Sequence, residues 1–453
     1  MRRFPVVLLA ALLAGCGGTA KTSSPGGGAV VAPRSTTLLL RFDTSFHSAQ
    51  WTALRALLGA FPEGKMLLAQ AAGAGKALGP ETDLVALGTD PTPKSIVGLT
   101  RPAHAADLET LLAKQEPPLV SEPVAGWRVI ATSRATIDRF KRERNGGSLA
   151  GVDRYREATG DLPASPLASA YLDGQALTSM LDKRFKTGTE SVPGLGRVSW
   201  LAGAVTAREN GIRVEARIRG DAIKLASFEA TLPEEVPGDV SLFVGFKGLD
   251  ATLEELRRSG VLASALGVNG KLVGGLLADV IPLFHDEGAL YARPGAPAEL
   301  TLVLKVADEA AATATLDRLA TLIGALTQQV PETVTLGGVS AKKLKVQKLT
   351  LYYAVFDGKL VVTTAPSGIL GLRQTGARLA GSQAWAGAKA AAEMPAETAG
   401  VLYADVPRAV QLLGGAVKLP PEVRRNLAPL KHALVYASVD GDVLSLSGFV
   451  AVR

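Results

Sequence analysis

Apolar and polar positions along the chain fall into a series of short strands and amphipathic helices that occurs twice. Leu38, Leu39, Leu40 and Phe42 form an apolar run that predicts a strand over residues 38–42. Trp51, Leu54, Leu57, Leu58 and Phe61 then recur at three- and four-residue intervals, which predicts a helix with one apolar face. Two apolar runs, 84–87 and 95–99, predict strands. The second series opens at 242–246, where Leu242, Phe243, Val244 and Phe246 predict a strand. Asp250 is placed to cap a helix carrying Leu253 and Leu256. Residues 289–291 and 299–304 predict the next strands, and a helix from Asp308 puts Leu316, Leu319, Leu322, Ile323 and Leu326 on one stripe. A β-meander follows, in which Lys343, Lys345 and Gln347 alternate with Leu344 and Val346. The inward parity changes near Gln347-Lys348, because the next apolar residues are Leu349, Leu351, Tyr353 and Val355. A bulge or strand break is expected there. Asp357-Gly358 predicts a two-residue hairpin turn, and Asn210-Gly211 and Asp440-Gly441 predict the turns that close each series.

The two series share more than their order. An offset of 204 residues relates Phe42 to Phe246, Pro93 to Pro297, Ile96 to Leu300 and Leu99 to Val303. An offset of 232 relates Val129 to Val361, Thr132 to Thr364, Ile137 to Ile369, Pro163 to Pro395, Tyr171 to Tyr403 and Asp173 to Asp405. The change of offset places extra residues in the second copy, within 330–358. Ordered matches of this kind point to an internal duplication. Short turns between strands imply antiparallel pairing. The expected fold is therefore α+β, with two homologous halves, each a mainly antiparallel sheet with packed helices. The expected divisions are 1–15, 16–34, 35–232 and 233–453, the last boundary falling where Pro233, Pro237 and Gly238 cluster.

Composition changes this picture little. The 453 residues are 47% apolar and 20% charged, which suits a packed core. Cys16 is the sole cysteine, so an internal disulfide, a thiol nucleophile in the body and a thiolate metal site are all excluded. The net charge of +7 is modest, and no basic stripe interleaved with aromatics exists, so no nucleic-acid partner is expected.

The N-terminal stretch carries the clearest signal. Arg2 and Arg3 precede an apolar run over residues 4–12, and Leu13-Ala14-Gly15-Cys16 follows. The run is shorter than the roughly 20 residues needed to span a bilayer, so it reads as a cleaved signal. Leu13, Ala14, Gly15 and Cys16 resemble the lipobox of bacterial lipoproteins. That resemblance implies a diacylglycerol on the Cys16 thiol, cleavage before Cys16, and membrane attachment through the covalent lipid. Gly17 follows the cysteine with no Asp retention residue, which by the same resemblance implies the outer membrane. Residues 16–34, rich in Gly, Ser and Pro, read as a flexible tether.

The body has a resemblance of its own. Phe284-His285-Asp286-Glu287-Gly288, the strand and Ala-rich helix of 299–316, and the hairpin Phe356-Asp357-Gly358-Lys359-Leu360 resemble a family of bacterial envelope proteins known only as a domain of unknown function. The family supplies no catalytic residues to carry over. The chain departs from its pattern at Leu283-Phe284-His285, where Leu-Gly is usual.

Candidate chemistry is sparse. Ser340-Ala341-Lys342-Lys343 and Lys186-Thr187-Gly188 match short motifs of serine β-lactamases, but their order is reversed and the serine lies in β-patterned sequence. Gly73-Ala74-Gly75-Lys76 lacks the residues of a phosphate loop, because Gln70 and Ala77 stand where Gly and Ser or Thr belong. His47, His104, His285 and His432 are scattered, giving no local metal pair. Asp173 and Asp405 read as helix caps. Lys342, Lys343, Lys345 and Lys348 read as protection of an edge strand. The expectation is a lipid-anchored, non-enzymatic binding or scaffolding module with no metal or cofactor, and with an envelope protein or lipid as partner. A carrier of a hydrophobic ligand is the alternative, and an unrecognised envelope hydrolase the third reading. His285, beside Asp286 and Glu287, is the sharpest test of the last.

Overall fold

The computed structural model describes residues 27–74, 77–89, 92, 94–185, 191, 192, 194–258, 277–295, 298–346, 349–416 and 419–452. It is a mixed α/β protein with extensive antiparallel sheet. The described residues divide into two compact units, one of those up to 222 with 442–446 and 452, the other of those within 223–441 with 447–451.

In the first unit the strands are β1 (Thr36–Asp43), β2 (Glu81–Leu87), β3 (Ile96–Thr100), β4 (Val120–Val124), β5 (Trp127–Ala131), β6 (Ala168–Asp173), β7 (Val198–Arg208) and β8 (Gly211–Gly220). They pair antiparallel in the order β4–β5–β3–β2–β1–β6–β7–β8. Alternate residues share a face, and the register aligns one apolar row across the sheet. Leu39 pairs with Val85 and Tyr171, Val85 with Val97, and Tyr171 with Ala202. Leu99, one step along, pairs with Val129. The helix Arg134–Arg144 covers this face with Ile137 and Phe140, and Tyr155 meets Tyr171 edge-on at 5.1 Å.

In the second unit the strands are β9 (Phe228–Glu229), β10 (Leu242–Phe246), β11 (Gly288–Arg293), β12 (Glu299–Lys305), β13 (Glu332–Leu336), β14 (Val339–Val346), β15 (Leu349–Phe356), β16 (Lys359–Thr363), β17 (Glu397–Thr398), β18 (Gly400–Asp405) and β19 (Leu430–Asp440). The main order is β13–β14–β15–β16–β12–β11–β10–β18–β19, all antiparallel. Phe243 pairs with Tyr291 and Tyr403, Tyr403 with Leu434, and Val303 with Ala289 and Val361. Ile369 and Trp385, from the helices Pro366–Arg373 and Gln383–Ala392, close over this row. The last strand, β20 (Val443–Val452), is divided between the units.

Several expectations need correction. The tether was expected to run to Arg34, but Gly27–Val30 form a 3-10 turn whose Ala29 is fully buried, and Val31 and Ala32 are buried beside it. Packing of small side chains, not flexibility, explains the glycines here. The boundary at 232/233 moves to 222/223, because Phe228 pairs with Thr398 and Leu232 lies in the second unit's core. Residues 442–446 and 452 return to the first unit, where Asp442 O accepts from Gly220 N and Val452 N donates to Asn210 O. The first closing turn is Glu209-Asn210, since Arg208 already pairs with Gly211. The second is Gly441-Asp442, because β19 runs through Asp440. Asp250 is the first helical residue of Asp250–Arg258 and not its cap. The parity change is a strand break, with Val346 pairing directly to Leu349 and residues 347 and 348 outside the described residues. The turn at Asp357-Gly358 is as expected, with φ of +49° and +68°.

Candidate functional site

Two clefts lie in the second unit. One, of about 520 Å³, is lined by Thr231, Lys247, Asp286, Glu287 and Lys305 among others. Glu287 precedes β11 and is only 7% exposed. Its carboxylate accepts from Thr231 N and Leu232 N, each at 2.8 Å, and from Thr231 Oγ1 at 2.6 Å, and Lys305 Nζ lies 2.8 Å away. Burial alone would raise its pKa, but the bonds from Leu232 N, Lys305 and Thr231 outweigh it and hold the carboxyl below the usual range. So complete a set of partners makes Glu287 a brace for the segment entering the second unit. A depressed folded pKa contributes stability above the unfolded carboxylate range and loses it as pH falls through the folded value. Unfolding midpoints measured from pH 7 to pH 3 should therefore fall for the wild type. Glu287→Gln should be less stable at pH 7 and show a flatter profile, whereas identical profiles would show that the brace carries no load.

The second cleft, of about 380 Å³, brings Arg293, Arg378 and Arg408 together with Asp239. Arg293 holds Asp239 through two bonds, Nε to Oδ1 at 2.8 Å and Nη2 to Oδ2 at 2.7 Å, and also approaches Glu299 at 3.3 Å. Arg378 donates to the carbonyls of Glu235, Gly371 and Gln374. Arg408 donates to Gly238 O at 3.0 Å and lies 3.5 Å from Asp405. Arg378 and Arg408 tie loop backbone together, and Arg293 is paired with the carboxylates of Asp239 and Glu299.

The third feature is a surface. On the face of the sheet opposite Phe243 and Tyr403, Val244 pairs with Leu290 and Leu402, Leu290 with Leu302, Leu302 with Val362, and Leu402 with Val435. A row of six apolar residues thus crosses six strands. Leu302, Val362 and Val244 pack against the cluster built on Ala312, Leu316 and Ala320 of the helix Glu309–Thr327. Leu242, Leu290, Leu300 and Leu402 remain 37, 44, 49 and 44% exposed. The six residues of this row carry no charge.

The residues singled out from sequence are dispersed. Leu13, Ala14, Gly15 and Cys16 lie outside the described residues, as do Gly75 and Lys76 and residues 186–188. His285 follows the 3-10 turn Ile281–Phe284, and its side chain is 74% exposed, with Nδ1 3.0 Å from Asp250 Oδ2. His47 and His104 are exposed. His432 is half-buried on β19, where burial chiefly, with the charge of Lys431, lowers its pKa. Among the described residues, no three acidic, His or Cys side chains are grouped as a metal site. Asp173 Oδ1 accepts from Gln175 N at 3.0 Å, and Asp405 Oδ1 from Arg408 N at 3.1 Å, so both begin helices as caps. Ser340 and Lys343 lie three apart on β14 and so face opposite sides of the sheet. The lysine patch is not on an edge. β14 lies between β13 and β15, and Lys342 and Lys343 reach across to Thr333 and Glu332 of the outer strand, at 2.9 and 3.0 Å. Lys348 is outside the described residues.

Three groups escaped the sequence reading: Glu287, the apolar row, and a buried trio of Arg41, Glu81 and Asp83. Glu81 and Asp83 had a usable signal. They are acids at alternate positions of an otherwise apolar strand, which puts both on one face.

Among the described residues no helix is long and apolar enough to cross a membrane. None of the curated proteins matches the chain. Solved structures similar to it include crystal form III of TP0453, at 10% identity and a TM-score of 0.26, over 44% of this chain and 81% of that one. Crystal form IV of the same protein gives 11% identity and a TM-score of 0.25, over 42% and 79%. Residues 130–439, more than half of the chain, match the family described as "Protein of unknown function (DUF3352)", and the chain belongs to that family.

Proposed function

We propose that the chain is a lipid-anchored, non-enzymatic binding module of the bacterial envelope, attached at Cys16 to the outer membrane and built from two duplicated halves. The observation that carries the binding reading is the apolar row through Val244, Leu290 and Leu402, in which Leu290 and Leu402 are more than a third exposed, beside equally exposed Leu242 and Leu300 one step along the same face. Contiguous exposed apolar surface of this kind marks an interaction site. A protein partner is the occupant proposed. The carrier of a hydrophobic ligand is the second reading, favoured by the absence of any charged or hydrogen-bonding side chain in the row.

The duplication draws support from strand register. Leu39–Tyr171 in the first unit and Phe243–Tyr403 in the second are related by the offsets 204 and 232, as are Leu99–Val129 and Val303–Val361. Tyr171–Ala202 and Tyr403–Leu434 follow the same rule. The extra residues of the second copy supply β13 and β14, which lengthen its sheet.

Site-specific photocrosslinking in cells tests the binding reading. A crosslinker at Leu290 should give one protein adduct, and Leu402→Lys should reduce that adduct at least tenfold, while a crosslinker at Arg142 on the first unit gives none. Crosslinks to lipid alone would favour the carrier. Adducts indifferent to Leu402→Lys would end the proposal for this surface.

A further inference from the structure

The described chain enters its first strand over a buried charge cluster. Glu81 and Asp83 lie on one face of β2 and are 5% and 0% exposed. Gly28 N donates to Glu81 Oε1 at 2.9 Å. The backbone passes so close that a Cβ on Gly28 would sit 1.8 Å from Asp83 Oδ2, and one on Gly27 would sit 2.1 Å from Glu81 Oε1. Glycine alone permits that approach. Arg41 on β1 places Nε 3.2 Å from Glu81 and 3.6 Å from Asp83. Tyr155, from the helix Asp153–Gly160, also faces the cluster, and Asp43, paired with Glu81 across β1 and β2, feels the Glu81 charge. Arg144 meets the entering chain from another side, donating to Val30 O at 3.0 Å. The Glu81 carboxyl and the Gly28 N–H also lie against Asp83.

One guanidinium balances one carboxylate. A second ionised carboxylate in the same dry site is opposed by burial and by its neighbour's charge. Burial first, then the charge of Glu81, push Asp83 well above the usual carboxylate range, against the pull of Arg41 and of the Gly28 N–H. The cluster is therefore neutral only while it holds a proton.

We propose that residues 27–31 form a strap latched over Glu81 and protonated Asp83, and that loss of this proton releases it. The bonds Leu149 N to Ala32 O and Arg34 N to Gly147 O form the hinge end. The sign follows from linkage. Closure packs Gly28 onto Asp83 and takes its carboxyl out of water, and this burial outweighs the opposing pull of the Gly28 N–H, so closure is favoured at low pH and weakens as pH rises through the raised value. Release would lengthen the tether by about 17 Å. That consequence for reach rests on lipidation at Cys16, but the latch itself does not.

Hydrogen exchange of the purified full chain between pH 5 and pH 9, corrected for the intrinsic rate, tests the latch. The amides of Gly28, Val31 and Ala32 should lose protection by up to tenfold per pH unit across the titration, while β6 and β7 stay protected. Asp83→Asn should flatten this dependence and keep the strap closed at pH 9. Glu81→Gln, which leaves one carboxylate facing Arg41, should also flatten it and serves if Asp83→Asn does not fold. Cys16→Ser should behave as the wild type, which separates failure of the latch from failure of the anchor. A wild-type strap equally protected at every pH, or folded variants that retain the wild-type dependence, would overturn the proposal.

Discussion

Replacing Cys16 with serine is expected to abolish lipid attachment and leave the protein as an unprocessed precursor or outside the lipidated membrane fraction. The expectation rests on Arg2 and Arg3, the apolar run of residues 4–12, and Leu13-Ala14-Gly15 before the cysteine. A serine hydroxyl is a far weaker nucleophile than a thiolate, so a step that alkylates sulfur has no substitute here. Stable anchoring needs more than one acyl chain or a second signal, and an acylated, diacylglycerol-bearing cysteine supplies several chains at one residue. Metabolic labelling with a clickable fatty acid, followed by fractionation, reads the result. Acylated mature protein from Cys16→Ser would refute the lipobox.

Truncating Trp385 to alanine is expected to cost about 3–5 kcal/mol, the largest single effect on stability proposed for the body. Trp385 is 4% exposed. Its ring meets Phe243 edge-on at 5.8 Å and Tyr403 edge-on at 5.3 Å, so it bridges two adjacent strands from the helix above them. Ser382 caps that helix by accepting from Trp385 N at 3.1 Å, which fixes the start of the turn bearing the ring. The cavity left by alanine would strip both partners of contact. Urea unfolding followed by circular dichroism measures the loss. A shift under about 1 kcal/mol would mean that the helix closes over the gap and that the packing at this point is slack.

What could be read in advance was whatever local chemistry determines. Asp308 does cap its helix, accepting from Ala311 N at 2.9 Å, because an aspartate ahead of an apolar stripe has few other uses. Asp357-Gly358 does turn the hairpin, with the positive φ at both positions that a type I′ turn requires and that Asp and Gly tolerate. The strand expected over 242–246 is β10 to the residue. What could not be read depends on distant partners. Asp286 and Glu287 look alike in sequence, yet Glu287 is buried because backbone N–H groups 55 and 56 residues earlier reach it. Gly26-Gly27-Gly28 reads as flexible linker, since nothing local reveals that a carboxylate pair lies under Gly27 and Gly28. The lysines of β14 looked like edge protection because β13, a short run of Glu, Thr, Val and Leu, gave no sign that it would add another strand. The candidate surface was hidden for the same reason. Leu242, Leu290 and Leu402 are ordinary strand residues in isolation, and only the register of β11, β10 and β18 aligns their face.

Native mass spectrometry of the mature protein, extracted from membranes in mild detergent, tests the central claim most directly, namely that a lipidated chain works by binding a protein. The expected spectrum shows a chain beginning at Cys16 with covalent acyl mass, together with a complex containing one additional protein that is lost in the Leu290→Lys, Leu402→Lys double variant. A chain without acyl mass, or one saturated with a noncovalent lipid and free of any protein partner, would contradict it.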